Sequence, residues 1–197
     1  MVGERWALLV VRELLLGPKR FTDLRAGLPH LSPDVLAQRL RELEQAGVVR
    51  RAKLPPPAGS RVYELTEWGR ELEPVVLGLG LWGSSRAPFP SDHGELGADS
   101  LVLALKTLFE PARANGLVGR TYELRLGDEA VFAVRVGERE LHASRGSAAD
   151  SAATITAEPG VLEQVLWHGR SPNAGGLEID GDRPAGTRFL RLFPLPG

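Results

Sequence analysis

Residues 32–65 read SPDVLAQRLRELEQAGVVRRAKLPPPAGSRVYEL. The stretch opens on a complete set of helix-start signals. Ser32 stands at the cap, Pro33 at the first helical position, and Asp34 beside the positive end of the helix dipole. Leu36, Leu40 and Leu43 follow at spacings of four and three, which puts them on one buried face. Ala46-Gly47 ends the helix. Residues 48–54 and 61–65 then read as two strands, joined by PPPAGS, a stiff and exposed tip.

Upstream, residues 2–16 predict a helix that stops at Gly17-Pro18. A short helix follows over residues 22–26 with Thr22 as its N-cap, then the turn Leu28-Pro29-His30-Leu31. Downstream, Thr66 caps a long helix through about Trp82, kinked at Pro74. Three helices, a two-stranded ribbon and a closing helix are the outline of a winged helix–turn–helix, whose third helix can enter a DNA major groove.

Its outward positions include Ser32, Val35, Gln38, Arg39 and Glu42. Gln38 and Arg39 have side chains able to make bidentate bonds to adenine and guanine edges. The ribbon's Arg50, Arg51, Lys53 and Arg61 suit phosphate or minor-groove contacts. Lys19, Arg20, Thr22 and Arg25 are placed to clamp the backbone beside the second helix. An arginine on a helix face is usually only solvated. What raises the DNA reading above that is the order of elements, the Ser-Pro start and the basic wing together.

The strings GERWALLVVREL, RFTDLR, LSPDVLAQRLRELEQAGVV and YELTEWG, spread over residues 3–83, resemble the HxlR family of winged-helix transcriptional regulators. The resemblance covers about two-fifths of the chain. It implies a homodimer, assembled through the first and last helices of this domain, on a pseudo-palindromic double-stranded DNA operator. Relatives usually carry further residues, often with a cysteine, ahead of the position of Val2. Some sense oxidants through cysteine; this sequence holds none.

Charge divides along the chain. Residues 1–65 hold eleven Lys and Arg against seven Asp and Glu, whereas the whole chain is at −1 with a pI near 6.4. The basic excess lies where a polyanion would dock. The longest uncharged run, residues 74–85, has twelve residues, short of the roughly 20 of a membrane-spanning helix. No signal-peptide core is visible at the N-terminus. Zero cysteines exclude disulfides and cysteine zinc sites and are compatible with a cytoplasmic location.

Residues 84–97, SSRAPFPSDHGELG, read as a linker, which divides the chain into a DNA-binding domain with dimerisation helices (1–83), the linker, and a second domain (98–197). The second domain opens with an apolar helix over residues 99–109. Strands follow at 121–126, 130–136, 140–144 and 152–157. The turns at Gly127-Asp128 and Gly137-Glu138 suit two-residue hairpins. Glu158-Pro159 opens another helix, residues 177–180 give a fifth strand, and a short helix over 184–193 closes the chain. The fold class is α+β, an antiparallel sheet with packed helices. Val131-Phe132-Ala133-Val134 is apolar on both faces. It is either covered on each side, or covered on one and lining a cavity on the other.

The runs ATITAEPGVLEQVLWHG, GLEIDGD and RFLRLFPLP resemble the sterol carrier protein type-two fold over about residues 99–197. That implies an apolar tunnel for lipids or other apolar small molecules. Candidates for its lining are Leu101, Leu105, Phe109, Phe132, Val134, Leu162, Leu166, Phe189 and Phe193, each of which is by default simply core. Fold alone does not give function.

Other chemistry is sparse. Gly78-Leu79-Gly80-Leu81-Trp82-Gly83 matches GxGxxG but follows a helix rather than a strand, so it is no dinucleotide site. Helix packing, with Trp82 as an interface anchor or a core residue, explains it better. His30, His93, His142 and His168 have no partner at ligand spacing, so no metal is expected. No nucleophile elbow and no acid–base pair stands out. The expectation is a non-enzyme without cofactors, a homodimeric regulator answering to an apolar effector. Two alternatives stay open: a second domain that is a ligand-free dimerisation or interaction module, and a carrier or enzyme whose winged helix docks protein.

Overall fold

The computed structural model describes every residue except 1, 2, 5, 56–58, 85–95, 129, 196 and 197. The chain forms two compact units, Met1–Val76 and Leu77–Gly197. In the first, α1 (Ala7–Leu14), α2 (Phe21–Gly27) and α3 (Pro33–Gln45) precede an antiparallel ribbon of β1 (Val49–Lys53) and β2 (Arg61–Leu65). Then come α4 (Glu67–Arg70) and α5 (Glu73–Ser84), the latter crossing from one unit to the other.

The core of the first unit joins Val10 and Leu14 of α1, Leu24 of α2, Leu36, Leu40 and Leu43 of α3, and Leu65 of β2. Each fully buried leucine stabilises by roughly 1.5–3 kcal/mol. The α3 boundaries follow their signals. The Ser32 hydroxyl accepts the Val35 N–H at 3.4 Å, and Gly47 takes a φ of 73° just past the end.

Other boundaries differ from expectation. Among the described residues α1 starts at Ala7, because Trp6 holds a left-handed backbone with φ 77° that a helix cannot pass through. Thr22 is not a cap. Helix α2 starts one residue earlier, and Asp23 reaches back to accept the Arg20 N–H at 3.1 Å. The expected kink at Pro74 is a break three residues before it. A proline ring collides with the carbonyl four residues back, here that of Arg70, and Arg70 is where α4 stops. The tip of the ribbon at 56–58 lies outside the described residues.

The second unit runs α6 (Ala98–Leu108), a 3-10 turn (Pro111–Arg113), β3 (Thr121–Leu126), β4 (Ala130–Val136), β5 (Leu141–Arg145), β6 (Ala153–Ala157), α7 (Pro159–Trp167), β7 (Leu177–Gly181) and α8 (Arg183–Phe189). The last helix stops at Phe189, short of the expected 193. The strands form one sheet in the order β5-β4-β3-β6-β7.

The sheet is mixed, not wholly antiparallel. Strand β6 pairs parallel to β3, with Tyr122 opposite Ala153 and Leu126 opposite Ala157. The chain leaves edge strand β5, passes across the sheet, and re-enters beside β3 in the same direction, which no hairpin can do. The hairpin connections are also longer than two residues. Leu126 pairs with Ala130 and Val136 with Leu141, leaving three and four residues between.

Period-two alternation settles β4. Phe132, Val134 and Val136 are buried on the same face as Tyr122, Leu124 and Ile155, together with Leu101 and Leu105 of α6. Val131 and Ala133 are half-buried on the opposite, largely polar face. There the Glu123 carboxylate is buried against Arg125 at 2.7 Å and the Ala148 N–H at 2.9 Å.

Candidate nucleic-acid interface

With its leucines inward, α3 turns Asp34, Val35, Gln38, Arg41 and Gln45 to solvent. The wing is fixed beside it. Lys19 forms a β-bridge to Tyr63, donating its N–H to Tyr63 O at 3.0 Å and accepting the Tyr63 N–H at 2.8 Å. That short third strand ties β2 to the connection between α1 and α2. At the end of β2, the Thr66 hydroxyl caps α4 through the Gly69 N–H at 3.0 Å and donates to Gly47 O at 2.7 Å.

The expected DNA-facing residues separate into three kinds. Arg20, Thr22, Arg25, Ser32, Val35, Gln38, Arg50, Arg51, Lys53 and Arg61 are exposed. Arg50 is paired with Glu64 at 2.7 Å, and Arg51 with Glu44 at 3.2 Å while lying over the Tyr63 ring. Exposed pairs of this kind contribute at most about 1 kcal/mol, so phosphate can displace them.

Arg39 is different, with a side chain only 13% exposed and Nη1 2.6 Å from Glu42. At 100° per residue it sits beside the leucine face rather than opposite it. Glu42, half-buried, also accepts the Gln38 amide at 3.0 Å. One carboxylate therefore ties both side chains expected to read bases. The same turn-angle count, carried past position 39, points to Arg41 as the outward arginine, and Arg41 is exposed.

Lys19 is the correction. Its ammonium is 4% exposed and 2.6 Å from the buried Glu13 carboxylate, so it faces the interior and not phosphate. A lysine is buried only when paired, and its partner here is six residues back across a turn. Sequence periodicity gives no sign of that pairing. Beside α3, a shallow cavity of about 620 Å³ in the helix–helix turn is lined by Arg25, His30 and Ser32 among others. His30, placed by the sequence in the turn before α3, shares it.

In the second unit, seven of the nine residues expected to line a tunnel are buried core: Leu101, Leu105, Phe132, Val134, Leu162, Phe189 and Phe193. Phe109 and Leu166 are half-buried. Phe189 stacks on Tyr122 at 4.4 Å and meets Phe193 edge-on at 5.1 Å. A groove of about 880 Å³ lies between β7 and α8 and includes none of the nine. Among the described residues no group of histidines and carboxylates has metal-site geometry, and no helix is long and apolar enough to cross a membrane. His93 lies outside the described residues.

A family model described as HxlR-like helix-turn-helix matches residues 1–89. The chain is 39% identical over 84 residues to the uncharacterized HTH-type transcriptional regulator YvaP of Bacillus subtilis, covering 43% of this chain and 78% of that one. The chain belongs to the HxlR-like helix–turn–helix family of transcriptional regulators. A second HxlR-like relative, the HTH-type transcriptional regulator YodB of the same organism, is 39% identical over 82 residues, or 42% of this chain and 73% of YodB. Among solved structures, reduced YodB aligns at 37% identity over 46% of this chain and 88% of that one, with a TM-score of 0.39. These three alignments each cover less than half of the chain, and the HxlR-like match stops at residue 89, ahead of α6.

Proposed function

We propose that the protein is a homodimeric repressor or activator that reads a pseudo-palindromic operator through α3 and answers to an apolar small molecule held in its second unit. The observation that supports DNA reading is an exposed α3 face flanked by four cations of the ribbon, Arg50, Arg51, Lys53 and Arg61. Gln38 and Arg41 meet base edges, and Arg39 does so only by releasing Glu42. Arg20 and Arg25 hold phosphate. Dimer symmetry sets the half-site spacing at about one helical turn or a multiple. The contact between copies is assigned to α1 and α5. The exposed apolar side chains of α5, with Trp82 at 72% exposure, favour this. The oxidant sensing through cysteine that the resemblance implies for some relatives is not carried over, since this sequence lacks cysteine.

Selection of binding sites from random duplexes, followed by footprinting, tests the reading. A two-fold-related site is expected, with Gln38→Ala or Arg41→Ala relaxing one base position by roughly 1–3 kcal/mol. Protection with no sequence preference, or none at all, would refute it. The effector claim requires a ligand that changes operator affinity; equal affinity with and without a saturating ligand sinks that part. A second reading, in which the sterol-carrier-like unit is a closed interaction module, is favoured by the packing of seven tunnel candidates into the core.

A further inference from the structure

The free edge of the second unit's sheet is built to accept a strand. Strand β7 is the last in the order, paired only with β6. The Gly127 N–H donates to Ala157 O at 3.1 Å, so Ala157 turns its backbone groups to β3 and alternation turns those of Thr156 and Thr154 to their β7 partners Glu178 and Asp180, in step with the Asp182 N–H donating to Ala152 O at 2.9 Å. Alternation along an antiparallel ladder then assigns Asp180 and Glu178 to β6 and turns the N–H and C=O of Leu177 and Ile179 outward. Leu177 and Ile179 both line the groove of about 880 Å³.

The groove has two chemically distinct sides. Leu177 and Ile179 lean towards α8, where a Cβ at Gly186 would stand 2.6 Å from the Ile179 side chain. On that side the wall carries Arg183, Arg188 and Arg191. Arg183 spends one N–H on Asn173 at 3.3 Å, and Arg188 bonds the Asn115 carbonyl. Each keeps further donors, since a guanidinium has five. Glu178 and Asp180 project to the opposite face of the sheet.

We infer that β7 takes up an extended acidic segment of a partner protein as a sixth strand, with carboxylates at alternate positions facing the α8 arginines. Backbone bonds to Leu177 and Ile179 give affinity, and the arginines give specificity for acid on one face. A second copy of β7 fits poorly. An antiparallel pair centred on Ile179 sets Glu178 directly against Asp180 of the other copy, and like charges so placed repel. Strand β5, the other edge, has its last residue Arg145 engaged by Asp99.

The probe is a capped, fluorescein-labelled heptapeptide alternating threonine and glutamate, titrated by anisotropy into the full chain at low salt. The expected result is saturable binding, weakened at least tenfold in the double variant Arg183→Glu, Arg191→Glu. Binding is lost when the peptide is N-methylated at alternate residues, and the Leu177 and Ile179 amides exchange more slowly in the complex. The N-methylated arm uses the unaltered protein, so it stands whether or not the double variant folds. Equal binding of the N-methylated peptide, no saturable binding, or full displacement by citrate at matched carboxylate concentration would overturn the proposal, the last by making the groove a small-anion site. Dissociation of the native oligomer by the peptide would also overturn it, by giving β7 to a second copy.

Discussion

At the scale of single residues, the first unit depends on a buried charge pair. Glu13 is 3% exposed and accepts from Lys19 at 2.6 Å and from Arg12 at 2.8 Å. A Cβ at Gly27 would collide with the same carboxylate, so the site is closed on that side too. Two charges taken out of water gain little net stability as a pair, but stranding one is costly. Lys19→Met is therefore expected to destabilise by about 3 kcal/mol, whereas Lys19→Met with Glu13→Leu recovers most of that. Urea unfolding of both variants checks it; equal losses would show that removing Glu13 does nothing to relieve the loss of Lys19, and that the two are not coupled. Glu123 makes a pH prediction in the second unit. Its hydrogen bond from Arg125, then that from the Ala148 N–H, hold its carboxyl below the ordinary range. The unfolded chain thus takes up this proton first as pH falls, and the stabilisation present at neutral pH is lost through the acid range. The melting temperature of the wild type should fall towards that of Glu123→Gln on acidification. A constant gap between the two from neutral to acid pH would contradict the assignment.

At the scale of elements, the α4 entry shows how local signals and tertiary contact combine. Thr66 caps α4 and bonds the chain just before β1 through Gly47 O, while Gly69 lets the helix approach the Val48 carbonyl, which an added Cβ would strike. Gly69→Ala should lower the melting temperature although alanine is the better helix former; an unchanged or raised value would mean that the approach relaxes freely. Capping residues and the leucine period made α3 legible to the residue, because these forces act within one turn. The same local forces placed β3 and β4 where expected. What alternation could not reveal was how the strands are joined, since parallel pairing of β6 with β3 is decided by a crossover between residues far apart. Arg39 failed for a geometric reason: it sits on the flank of α3, where Glu42 is within reach. Helix α5 has no buried residue and is apolar nearly all round, which the sequence registered as a long uncharged run and as glycines suited to helix packing. An unassociated helix of that kind is poorly stabilised in water. Trp82→Glu is accordingly expected to convert the proposed dimer to monomer by light scattering and to leave α3 intact by circular dichroism. Persistence of a dimer would move the contact away from α5.

At the scale of the whole molecule, net charge misleads. A chain at −1 does not have the composition of a nucleic-acid binder, yet phosphate responds to the local field and is screened from charges beyond about 8–10 Å. What matters is the concentration of Arg20, Arg25, Arg50, Arg51, Lys53 and Arg61 in the first unit, two of them, Arg50 and Arg51, paired with the half-buried acids Glu64 and Glu44. If those cations neutralise phosphates, operator affinity falls linearly in log–log form with salt, by a slope of roughly 0.9 per phosphate contacted. Arg61→Ala should reduce that slope by about one per protomer and weaken all sequences alike, because a phosphate contact positions without specifying. Gln38→Ala should do the reverse, leaving the slope and relaxing one base position. Filter binding from about 50 to 200 mM salt separates the two outcomes. An Arg61→Ala slope equal to wild type would remove the wing from the interface and leave α3 to bind alone.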